Sequence, residues 1–180
     1  ISPPIDMMRG RGYAADRLKQ AFRDSGMRVS GMEAAVNDAE RAQREFETAV
    51  KQKGGEVMSS IKEKTLVIVG RAYNSFERGM NLQIPEKLAT LGVQSVPMDM
   101  LPLGEASIKE SWPNMYWRSG QKILKAARYI ADHPLLYPIY IGNFACGPDS
   151  FILKFFKEEL KGKPFLHIEI DEHSADAGAI

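Results

Sequence analysis

From Thr65 onward, short apolar runs alternate with amphipathic stretches, whereas the residues before it carry only a thin apolar stripe. Thr65-Leu66-Val67-Ile68-Val69-Gly70 is β-branched and too short for a helix, so it reads as a strand. Pro85 suits the first turn of a helix over 84–91, which Gly92 stops. Residues 94–98 read as a second strand. Between 114 and 131, Trp117, Ile123, Leu124, Ala127 and Ile130 recur at helical spacing, and His133-Pro134 ends the run. Residues 135–141 form a third strand pattern, in which Pro138 either delays the start or marks a bulge. An amphipathic helix over 151–160 stops at Gly162, and 164–170 is a fourth strand. This alternation predicts an α/β fold: a Rossmann-like open parallel sheet of about four strands with right-handed crossovers.

Residues 14–64 read as helical and polar. Leu18, Ala21 and Phe22 give a short stripe that ends at Ser25-Gly26. Ser30 or Gly31 can cap a second helix, which Gly54-Gly55 should stop. Pro3, Pro4, Gly10 and Gly12 mark the first dozen residues as loop. The alanine-rich stripe buries little by itself, so the expected organisation is a helical arm or linker over 1–63 and an α/β domain over 64–180.

Composition narrows the function classes. Lys+Arg 24 against Asp+Glu 23 leaves a net charge of +1, which gives no reason to expect nucleic acid or an anionic membrane as a partner. One cysteine cannot form an internal disulfide, and a reducing cytoplasm is expected. The chain starts at Ile1 and follows an acidic, polar stretch to Ile180, so it reads as a piece of a longer polypeptide.

Parallel strands bring their carboxyl ends to one edge, where open α/β sheets bind ligands. Here that edge would collect Gly70 and Asn74, then Asp99, then Asn143 and Cys146, then Asp171-Glu172-His173. Cys146 lies between a strand and a helix opened by Gly147-Pro148-Asp149, and a helix amino terminus favours a thiolate. A lone cysteine is more often a small buried hydrophobe, and Phe144 or Phe151 would be the covering side chains. Gly70 more often marks a tight turn, and Asp99 a turn cap. His133 reads as a helix end and His167 as a packed residue. No G-x-G-x-x-G, P-loop or G-x-S-x-G motif occurs, so nucleotide binding and serine hydrolysis by those devices have no support.

Two segments, Gly142-Asn143-Phe144-Ala145-Cys146-Gly147-Pro148-Asp149-Ser150-Phe151 and the stretch from Lys163 through Ile170-Asp171-Glu172-His173-Ser174-Ala175-Asp176-Ala177-Gly178, resemble the carboxyl-terminal part of 2-hydroxyacyl-CoA dehydratase subunits. More closely, with Gly70-Arg71-Ala72-Tyr73-Asn74 and Gly79–Pro85, the chain resembles the large activator-related proteins that carry a dehydratase-like region. The resemblance covers residues 64 to the end. It implies a role in iron–sulfur electron transfer for acyl-CoA dehydration, with Cys146 as a [4Fe–4S] ligand and an ATP-dependent activator region or acyl-CoA as partners in the parent protein. The family's second cysteine has no counterpart at Asp99-Met100-Leu101-Pro102-Leu103, so no cluster and no activity are expected in the isolated chain. The alternative class is a non-catalytic binding or docking domain. A small-molecule enzyme using Asp99 or His173 is a third reading.

Overall fold

The structure is a computed structural model and describes residues 5–6, 9–104 and 107–171. The chain divides into two compact units, residues 1–50 and 51–180. In the first, α1 (Arg11–Asp24) and the start of α2 (Met32–Ser60) bury Ala14, Ala15 and Val36. Arg11 pairs with Glu40, and Lys19 Nζ lies 3.5 Å from Glu33 Oε1. Gly12 is inside α1 rather than in a loop.

α2 does not stop at Gly54-Gly55 but runs to Ser60. The two glycines differ. A Cβ on Gly54 would meet the Met100 carbonyl oxygen at 2.1 Å, whereas nothing lies within 4 Å of one on Gly55. Gly54 is there because a backbone passes against the helix. The pattern GG looks like a stop in sequence because the approaching backbone is 46 residues away in the chain.

The second unit is built on β1 (Thr65–Gly70), β2 (Ser95–Pro97), β3 (Leu136–Asn143) and β4 (Leu166–Ile170), all parallel, in the order β2-β1-β3-β4. Between them lie α3 (Ala72–Phe76), α4 (Ile84–Thr90), a 3-10 turn at Met98–Met100, α5 (Arg118–Asp132) and α6 (Gly147–Glu159). This is the open α/β sheet that the apolar runs predict. Alternation along β1 sends Val67 and Val69 to one face, with Ile123, Leu124 and Ala127 of α5 and Ile152 and Phe156 of α6. Ile68 goes to the other face, with Ile84 of α4 and Ile139 and Ile141 of β3. Among the described residues, no helix is long and apolar enough to cross a membrane.

Pro138 sits inside β3, opposite Val67. The Thr65 N–H donates to Leu135 O at 2.8 Å, so the odd-numbered β3 backbones face β1 and that of Pro138 faces the β4 side. Pairing with β4 starts only at Ile139 and Leu166. The missing donor therefore falls where no partner strand exists, and neither a late start nor a bulge is needed.

α5 begins at Arg118, four residues later than the sequence pattern suggests. Gly120 explains the delay: its open side takes Met115 and Trp117, whose Sδ and Cε3 lie 2.9 and 2.7 Å from where a Cβ would be. Residues 112–117 are therefore a folded-back loop over α5.

Candidate functional site

In the strand order β2-β1-β3-β4, the chain leaves β1 toward one edge and returns to β3 on the other side of β1. The carboxyl ends of β1 and β3 therefore flank the switch point, where open α/β sheets leave a crevice. Gly70 ends β1 within 2.6 Å, measured from an added Cβ, of the Ile141 carbonyl oxygen. Only glycine allows the two strand ends to approach so closely.

Arg71 turns into this crevice. Its Nη2 donates to Asp149 Oδ2 at 2.8 Å, to Cys146 Sγ at 3.0 Å and to Asn143 Oδ1 at 3.5 Å. Asn74 Nδ2 donates to Asn143 Oδ1 at 2.7 Å and to the Ile141 carbonyl at 3.1 Å. Asp149, in the first turn of α6, also accepts the Asn143 N–H at 2.9 Å, and its Oδ1 lies 3.5 Å from the Tyr140 hydroxyl. Its carboxylate is buried and stands at the positive end of a helix. Burial pulls the Arg71 pKa down, but the hydrogen bond and charge of Asp149 outweigh it and the net shift is upward. Tyr140 is fully buried; burial first, then the negative charge of Asp149, raises its phenol well above the ordinary value. These effects keep Arg71 charged and the phenol protonated.

Asn74, Asn143 and Cys146 thus meet at one edge, with Gly70 shaping the floor. Phe144 is 63% and Phe151 58% exposed, so neither covers the sulfur, and Cys146 is half-buried. Ala145 takes a left-handed conformation, φ 53°, to bring the cysteine back under Arg71. Asp99 makes its contacts elsewhere: it pairs with Lys122 of α5 at a separate cavity. Asp171 directly follows β4, while Glu172 and His173 lie outside the described residues. His133 caps the end of α5, and His167 packs edge-on to Tyr140 at 5.6 Å between centroids. The sequence places Arg71 on the strand-end edge and Asp149 at the start of the following helix without pairing them, and it does not single out Tyr140. A cation after one apolar strand and a carboxylate in the first turn after another was the available signal, but it needs the strand order to become a pair.

The donor set around Cys146 does not fit an iron–sulfur cluster built from this chain. The sulfur accepts from a guanidinium, which stands where a metal ion would have to approach. Among the described residues, no group of three or more His, Cys, Asp or Glu side chains is placed to hold a metal ion.

A larger cavity opens on the other side of Gly147-Pro148. It measures about 680 Å³ and is walled by Trp112, Tyr116, Trp117, Phe151 and Phe155. Its far wall is fixed at both ends. Trp112 Nε1 donates to Glu159 Oε1 at 2.7 Å, and Arg128 grips both oxygens of that carboxylate at 2.8 and 2.9 Å. Gln121 Nε2 donates to the Met115 carbonyl at 2.6 Å. Trp112 meets Phe155 edge-to-face at 4.8 Å, and Phe155 meets Phe151 at 5.0 Å. The cavity is therefore preformed and apolar, with Tyr116, 92% exposed, at its surface.

Residues 1–101 match the family described as the CoA enzyme activase uncharacterised domain (DUF2229). The match covers more than half of the chain. The chain belongs to this family. The matched part includes Gly70–Asn74 and Gly79–Pro85, the segments that resemble activator-related proteins, and it takes in both helices of the arm. It ends before Cys146, so the dehydratase likeness of the carboxyl-terminal half gains nothing from it. No curated protein and no solved structure matches the activase-related domain.

Proposed function

We propose that this activase-related domain is a non-catalytic binding module that holds the apolar part of a small organic ligand. The supporting observation is the pinned, aromatic-walled cavity beside the amino terminus of α6. Membership of a CoA enzyme activase family makes an acyl thioester the chemical class to test. In this reading the Arg71, Asn143, Cys146 and Asp149 cluster is a latch. It holds β1 to α6 and so fixes the rim at Gly147-Pro148. The iron–sulfur electron transfer and acyl-CoA dehydration implied by the resemblance would need thiolates from outside the described residues.

Both tryptophans of the chain line the cavity, so intrinsic fluorescence reads its occupancy directly. Titration with N-acetylcysteamine thioesters, which carry no phosphate, should give a saturable change. Affinity should rise about fourfold for each added methylene until the cavity is full. Phe151→Ala should weaken binding while leaving the far-UV spectrum unchanged. A flat titration, or chain-length dependence that Phe151→Ala leaves untouched, would sink the reading.

A further inference from the structure

A second cavity, of about 540 Å³, lies against the opposite side of the segment that starts α5. Trp117 lines the aromatic cavity and Arg118, the next residue, lines this one. Among the described residues its charged lining is unbalanced: Lys51, Arg118, Lys122 and Lys125 stand against the carboxylate of Asp99. Asp99 is committed to Lys122, which leaves Lys51, Arg118 and Lys125 without a carboxylate partner among the described residues.

This arrangement opposes helix stability. Arg118 opens α5, where the helix dipole repels a cation. The first turn has no acidic residue, and Trp117 supplies no side-chain cap. Arg118, Lys122 and Lys125 follow at spacings of four and three on one helical face, where like charges repel. None of these three charges is required by the packing of α5, which rests on Ile123, Leu124, Ala126, Ala127 and Ile130. A cavity, a cationic lining and an uncapped helix start that all favour the same charge have one simple common occupant. We propose that this cavity binds the pyrophosphate group of a phosphorylated ligand. Arg118 offers a bidentate fork to phosphate oxygens, Lys51 and Lys125 neutralise the remaining charge, and Asp99 holds Lys122 in place.

The test is calorimetric titration of the full 180-residue chain with inorganic pyrophosphate, against sodium chloride at matched ionic strength. Saturable binding is expected, weakened at least about tenfold by the double variant Arg118→Gln/Lys125→Gln. Because like-charge repulsion is relieved, that variant should unfold no earlier than the parent. Lys161→Gln, which removes an exposed lysine paired with Asp132, should leave binding unchanged, as should Phe151→Ala in the aromatic cavity. An ADP arm separates the sources of the group: tighter binding than pyrophosphate assigns a nucleotide, and equal binding assigns the pyrophosphate group alone. No saturable heat, binding that the double variant leaves intact, or equal loss in Lys161→Gln would overturn the proposal.

Discussion

Arg71 and Asp149 are 78 residues apart in the chain, yet the Nη2 to Oδ2 distance is 2.8 Å. One stands just after β1 and the other in the first turn of the helix after β3. The pair therefore ties together the two strand ends that flank the switch point. With Asp149 only 4% exposed and Arg71 19%, it is a buried charge pair rather than a surface one.

Removing one partner should strand the other. Asp149→Ala or Arg71→Met should each destabilise the domain by about 3 kcal/mol. The double variant should lose clearly less than the sum, because no uncompensated charge is left behind. Urea denaturation of the four proteins checks this. Strictly additive losses would show that the two residues act independently.

Cys146 is half-buried with both neighbouring phenylalanines turned outward, so a small thiol reagent should modify it in the native protein. Modification would replace the Arg71 contact by a bulky group and should lower the melting temperature. Arg71→Gln should reduce that difference between labelled and unlabelled protein. A thiol that reacts only after denaturation would show instead that the latch seals the sulfur.

Glu159 gives a pH dependence with a definite sign. The Arg128 hydrogen bond is the largest influence; it outweighs burial and, with the Trp112 bond, holds the carboxyl below its ordinary value of 4.5. The folded state therefore releases this proton at lower pH than the unfolded state. The stabilisation is complete above the ordinary carboxylate range and is lost as pH falls through the folded value. Glu159→Gln should flatten that part of the stability curve below about pH 4.5 and loosen the Trp112 wall of the cavity. Urea midpoints across acidic pH would check it. An unchanged slope in the variant would rule out this assignment.

The sheet was legible because short apolar runs between turn residues have few other readings, as at Thr65–Gly70. The strand order was not, because nothing local in the sequence places β3 beside β1. For that reason Asn143 and Cys146 could be assigned to an edge but not to Arg71 or Asp149. The aromatic cavity was hidden for a different reason. Trp112, Tyr116 and Trp117 look like core or interface residues in sequence, and the helical stripe starting at Asn114 masked a loop that Gly120 allows to fold back.

Gly54 and Gly55 offer the sharpest comparison, since they are adjacent, share one helix and have the same sequence signature. At Gly55, which is exposed with nothing within 4 Å of an added Cβ, alanine only reduces the entropy of the unfolded chain and improves helix propensity. Gly55→Ala should therefore stabilise the protein by about 0.5–1 kcal/mol. At Gly54 the same methyl group would overlap the Met100 carbonyl, its carbon and its Cα, at 2.1, 2.8 and 2.9 Å. These are backbone atoms of the turn that carries Asp99, and they cannot swing away as a side-chain tip could. Gly54→Ala should instead destabilise by about 1–3 kcal/mol, because the helix or the turn must shift. The shift should also disturb the Asp99 and Lys122 pair, so Gly54→Ala should weaken pyrophosphate binding. Thermal melts of the two variants decide the structural point. If both alanines stabilise equally, α2 does not approach the Met98–Met100 turn as described, and Gly54 is then an ordinary helical glycine.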